Sequence, residues 1–133
     1  MLRTQLLLFF LAAPSAQASQ VSPVDCENTA HSQQTHQCAR LDRKQTHQAF
    51  NKAFNALNSR VRRQSQDNSE LKEELLEQVE RAQRLWSTSL KADCTLESFA
   101  IEPGTRAYQA TFDSCLAQQY RLRETYLNGL MID

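Results

Sequence analysis

Between Leu71 and Cys94 the chain reads LKEELLEQVERAQRLWSTSLKADC, with no Gly or Pro. Leu71, Leu75, Val79, Ala82, Trp86 and Leu90 recur there at steps of three and four. On a helix that spacing gathers them into one apolar stripe. Glu70, Glu73, Glu74, Glu77 and Glu80 recur at the same spacing on another face. This helix is expected to organise the fold, with Trp86 in the core and the rest of the chain covering the stripe.

Upstream, Ser19 to His31 is polar and predicts an extended arm or a single turn. From Ser32 the pattern becomes helical: Ala39, Ala49, Phe50, Ala53, Phe54, Leu57 and Val61 form a stripe that runs to about Arg63. Its first half, Gln33 to Gln48, is so polar that only part of it can pack deeply. QSQDNS at 64–69 breaks the pattern, and Asn68 or Ser69 is suited to cap the next helix. That helix is expected to end near Asp93 and to lie antiparallel to the first. Thr95 to Gly104 reads as a crossing. Thr105 opens a third helix, striped by Tyr108, Phe112, Cys115, Gln119, Leu122 and Tyr126, widened by Leu116 and Leu127, and ended at Gly129. The fold class expected is all-α: an elongated three-helix arrangement with a short N-terminal turn.

The first 18 residues change the picture of where the chain works. Arg3, the apolar run Leu6 to Ala13 and Ala16-Gln17-Ala18 have the form of a secretory leader with its cleavage site. The run is too short to span a bilayer, which takes about 20 apolar residues. The expected product is a periplasmic or secreted domain, residues 19–133, with no membrane insertion after cleavage. Losing Arg3 leaves 14 Lys and Arg against 15 Asp and Glu, a net of −1. No global field then favours nucleic acid or an anionic membrane.

Cys26, Cys38, Cys94 and Cys115 all lie in the exported part, and an even count there implies two disulfides. Four cysteines allow three connectivities, among which the sequence does not choose; local pairing is the preferred reading. Cys94 and Cys115 flank Pro103-Gly104 almost symmetrically, as two facing antiparallel helices require. Cys26 and Cys38 straddle the helix start at Ser32. On one straight helix they would sit about 18 Å apart, so the arm must fold back. Each closed loop would contribute about 3 kcal/mol in the chain-entropy model.

Candidate chemistry is sparse. No CxxC pair suggests a metal; His31 and His36, five apart, do not share a helix face, and His36 and His47 lie about three turns apart. No GxSxG elbow or Gly-rich phosphate loop occurs. The expectation is therefore no enzyme, no metal and no cofactor. The enzyme reading would gain if His47, a glutamate and a hydroxyl converged in a pocket. The glutamate face is the binding candidate, with Glu73, Glu74, Glu77 and Glu80 as the residues named. Five carboxylates on one flank can steer a basic partner. As an ordinary solvated face, the same residues would be partly neutralised by Arg81 and Arg84 at i+4 and by Arg60, Arg62 and Arg63 across the turn.

Cys26, Cys38-Ala39, Phe50-Asn51 with Phe54, Gln83-Arg84-Leu85-Trp86, Cys94, Gly104-Thr105, Cys115 and Arg123 with Leu127 follow one another in a recognisable order. Together they resemble the lysozyme inhibitor LprI-like N-terminal domain over about residues 25–128. His47 stands where that pattern has Asp, Phe50 replaces its Leu and Phe54 its Tyr. The resemblance implies an all-helical, disulfide-bonded exported domain that binds and inhibits lysozyme, with common lysozymes being basic. The alternative is an envelope protein with a different protein partner.

Overall fold

The computed structural model describes residues 24–27 and 31–130. The leader expected at 1–18 lies outside the described residues. Three helices follow in order: α1 (Ser32–Gln64), α2 (Ser69–Glu97) and α3 (Arg106–Gly129). No strand occurs among the described residues. The 33 residues of α1 make a rod about 50 Å long, so the arrangement is elongated as expected.

The helix ends follow local chemistry. Asn68 caps α2, its side chain accepting the Leu71 N–H at 3.0 Å, and Thr105 caps α3 by accepting the Tyr108 N–H at 3.2 Å. Before Asn68, the Ser65 hydroxyl donates to the Val61 carbonyl at 2.6 Å and closes α1 from inside. Gly104 has φ +84, a left-handed conformation open to glycine without a steric cost. α2 runs four residues past its expected end at Asp93, through Cys94 to Glu97. Buried Ser98 supports that extra turn, donating from its backbone N–H (3.3 Å) and its hydroxyl (2.9 Å) to the Cys94 carbonyl. Gly129 is the last residue of α3, with Leu130 at the cap position, so it does not end the helix in a left-handed turn.

The core corrects the expectation that α2 organises the fold. α1 and α3 run parallel and form the principal contact. Arg43 meets Asp113, Phe50 stacks on Tyr120, and Arg60 donates to the Leu127 carbonyl at 2.6 Å, in ascending order along both helices. Small residues, Ala39, Thr46 and Ala53 on α1 and Ala117 on α3, are buried in these two helices. α2 is antiparallel to both but buries only Leu90 and Cys94. Its inward face carries Leu75, Leu76, Val79, Gln83, Trp86, Ser87, Leu90 and Cys94, rotated from the predicted stripe, so Leu71 and Ala82 are exposed. Trp86 is half-buried rather than enclosed and touches both core clusters, the one around Phe50, Leu57, Val61 and Leu127 and the one around Leu90, Cys94 and Leu116. On α3 the buried residues are Asp113, Cys115, Leu116, Ala117 and Leu127, whereas Leu122 and Tyr126 of the predicted stripe are exposed.

Both disulfides are local. Cys26–Cys38 ties the N-terminal segment back onto α1, and Cys94–Cys115 bolts α2 to α3. The first lies at the surface and the second is buried.

Candidate functional site

α2 positions the acidic face. Because its inward side is centred near Val79 and Leu90, the 3.6-residue period turns Glu70, Glu73, Glu74, Glu77 and Glu80 outward, and all are exposed. The structure brings the four named residues together on one helix surface, Glu73, Glu74, Glu77 and Glu80. Among the described residues none of these glutamates forms an ion pair; the Gln78 amide donates to Glu74 Oε1 at 3.2 Å. Arg81 and Arg84 are exposed on the same side of α2 but make no ion pair with these glutamates. Arg60 is turned away, spent on the Leu127 carbonyl. A row of unpaired carboxylates is a local negative field on a chain of formal net charge 0.

An apolar margin runs beside the acidic face. Leu71, Leu85 and Leu96 of α2 are exposed, Leu85 to 66%. Helix periodicity places them between the glutamates and the edge of α2 that meets α3. Leu122 and Tyr126 are exposed on α3. Between the two helices lies a cleft of about 160 Å³ lined by Val79, Ala82, Arg123, Tyr126, Leu127 and Leu130 among others. Arg123 is its polar wall. Its guanidinium sits 5.2 Å from the Trp86 ring centroid and 5.0 Å from that of Tyr126, a cation held by two aromatic faces. Burial lowers the Arg123 pKa from its ordinary value, opposed by Tyr126. Its buried Nε has no hydrogen-bond partner among the described residues.

The α1–α3 seam carries its own polar contacts. Asp113, 2% exposed, holds Arg43 Nε at 2.8 Å and accepts from the Gln109 amide at 3.1 Å. The Arg43 contact is an ion pair whose N–H direction falls short of a hydrogen bond. Arg121 grips both oxygens of Asp42 at 2.8 and 3.0 Å on the surface. Burial raises the Tyr120 pKa above its usual 10.0, with the Arg43 charge pulling the other way. His47 lies against the Tyr120 ring at 4.8 Å, with the Asn51 amide nitrogen 3.4 Å from its Nδ1. No carboxylate pairs with it among the described residues. No group of three or more His, Cys, Asp or Glu able to hold a metal occurs among the described residues.

Sequence reasoning missed the Arg123 sandwich and the Arg43–Asp113 pair. Arg123 and Trp86 both stood in the ordered motif, which was the available signal. Nothing in the spacing links Arg43 to Asp113.

The sequence profile described as "Lysozyme inhibitor LprI" matches residues 26–127, from the first cysteine to the last buried leucine of α3. The chain belongs to the LprI family. The matched span contains both disulfides, the acidic face and the Trp86–Arg123 contact. A crystal structure of a DUF1311 family protein from Pseudomonas putida KT2440 is similar to this LprI family member, with a TM-score of 0.66 and 34% identity. The match covers 72% of this chain and 89% of that one. No curated protein matches.

Proposed function

We propose that this protein is exported to the bacterial periplasm or secreted, and that residues 19–133 act there as an inhibitor that blocks lysozyme by protein–protein contact. The observation that carries this reading is the unpaired acidic face of α2, set on a member of a lysozyme inhibitor family. Glu73, Glu74, Glu77 and Glu80 steer the basic enzyme toward the helix, and the exposed leucines beside them supply apolar contact. Two disulfides suit an oxidising compartment. No described helix is long and apolar enough to cross a membrane. The inhibitor works as a rigid body and takes no part in bond making or breaking.

The test is lysozyme activity on bacterial cell walls with the oxidised exported chain titrated in, beside a direct binding assay at two salt concentrations. Saturable inhibition that weakens with salt is expected, because exposed charges are screened over about 8 Å at physiological ionic strength. Charge reversal of the four glutamates should weaken binding about tenfold to a hundredfold at low salt, mainly through the association rate. Equal affinity after reversal would remove the acidic face from the mechanism. Absence of binding to several lysozyme types would turn the function toward a different envelope partner.

A further inference from the structure

We propose that the loop joining α2 to α3, with Phe99 just beyond the end of α2, is the element that enters the partner's cleft; this rests on the reading that the partner is a lysozyme. Phe99 is 78% exposed and Leu96 69%, the two most exposed large apolar side chains among the described residues. Leaving apolar area in water forgoes the stabilisation that its burial would give. Folding gains nothing from an exposed phenyl ring here, whereas aromatic side chains are the commonest anchors of protein interfaces.

The loop holds that ring out rigidly. Ser98, fully buried, is fixed to the Cys94 carbonyl, and Cys94 is bonded to Cys115 directly beneath the loop. The Phe99 N–H donates to the Leu96 carbonyl at 3.2 Å and the Ile101 N–H to the Ser98 carbonyl at 3.0 Å. The Thr105 hydroxyl closes the far side on the Glu102 carbonyl at 2.8 Å. A segment already ordered in the free protein loses little entropy on binding. It forms a tip where one helix ends and the next begins. The flanks of α2 are long and straight by comparison.

Chemistry then divides the two surfaces between two parts of the partner. A glycan-cleaving cleft carries a pair of carboxyl groups across the scissile bond. The acidic face of α2 would meet those groups as like charges, whereas an aryl ring meets them without repulsion and displaces water. Residues 92–105 carry Asp93, Glu97 and Glu102 and no Lys or Arg. With Phe99 leading, these carboxylates and the α2 glutamates fall against the basic surface around the cleft.

The experiment compares wild type, Phe99→Ala and Leu96→Ser for lysozyme inhibition, and measures displacement of an N-acetylglucosamine oligosaccharide from the cleft by the wild-type protein. Each variant should melt within about two degrees of wild type, because the altered side chains are exposed. Phe99→Ala should inhibit about thirtyfold less well, the size of an aromatic hot spot, with the salt dependence of binding retained. Wild type should displace the oligosaccharide. Unchanged inhibition by Phe99→Ala, or a ternary complex in which the oligosaccharide keeps its affinity, would overturn the tip while leaving the inhibitor reading intact. Failure of wild type to bind lysozyme would overturn both.

Discussion

α1 and α3 are joined by a buried seam; α2 lies against them along one face and fully buries only Leu90 and Cys94. The parallel pair buries Phe50, Ala53, Leu57, Val61, Ala117 and Leu127 and encloses the Asp113 carboxylate. α2 is fixed by the Ser65–Asn68 turn at one end, by Cys94–Cys115 at the other and by Leu75, Leu76, Val79 and Trp86 between. The helix with the most conspicuous amphipathic pattern is thus the one with the most surface left over. Large residues at helical spacing announce a stripe, but close approach of two helices needs small ones. Surface that folding does not consume is available for binding, and on α2 it is acidic on one side and apolar beside it.

The sharpest break of this comparison is in the α1–α3 seam. Leu57→Ala, at a site 1% exposed, should cost about 2–5 kcal/mol in denaturant unfolding. Leu75→Ala on half-buried α2 should cost well under half of that. Equal losses would show that α2 carries the core after all.

The disulfides separate the regions next. Replacing both Cys94 and Cys115 by Ser should cost about 2–4 kcal/mol, read as a lower midpoint in denaturant. Removing Cys26–Cys38 should cost about 1 kcal/mol or less, although its loop would be worth more in the chain-entropy model. The bond lies at the surface, where the Gln34 side-chain amide also donates to the Asp25 carbonyl, so release loosens the segment in the folded state as well as in the unfolded one. Mild reductant should accordingly open the surface Cys26–Cys38 bond first, detected by mass-mapped thiol labelling. Prior labelling of Cys94 would contradict the burial argument.

The smallest effect belongs to the surface pair. Asp42→Ala breaks the grip of Arg121 across α1 and α3, and half-exposed ion pairs contribute about 0–1 kcal/mol. A larger loss would mean that the seam depends on its rim rather than on its small buried residues.

These differences explain what the chain made legible. Asn68 and Thr105 are capping residues before amphipathic runs, and both start helices where expected. The glutamate face was visible because periodicity alone defines it, and local cysteine pairing was the preferred one of three connectivities that the sequence left open. The α1–α3 seam was hidden because Ala39, Thr46, Ala53, Ala117 and Asp113 carry weak or contrary hydropathy. Its key polar pair joins residues 43 and 113, a relation set by tertiary packing. Phe99 was read only as part of a crossing, since exposure of a loop aromatic is decided by how the ends of the loop are pinned.

The most direct measurement is calorimetric titration of the oxidised exported chain into lysozyme at low and at physiological ionic strength, with the four-glutamate reversal run alongside. Saturable binding, weaker at higher salt, with that salt dependence largely lost in the reversed variant, is the predicted result. No heat of binding to any lysozyme type, or binding of equal strength by both proteins at both ionic strengths, would contradict the role given to the free surface of α2.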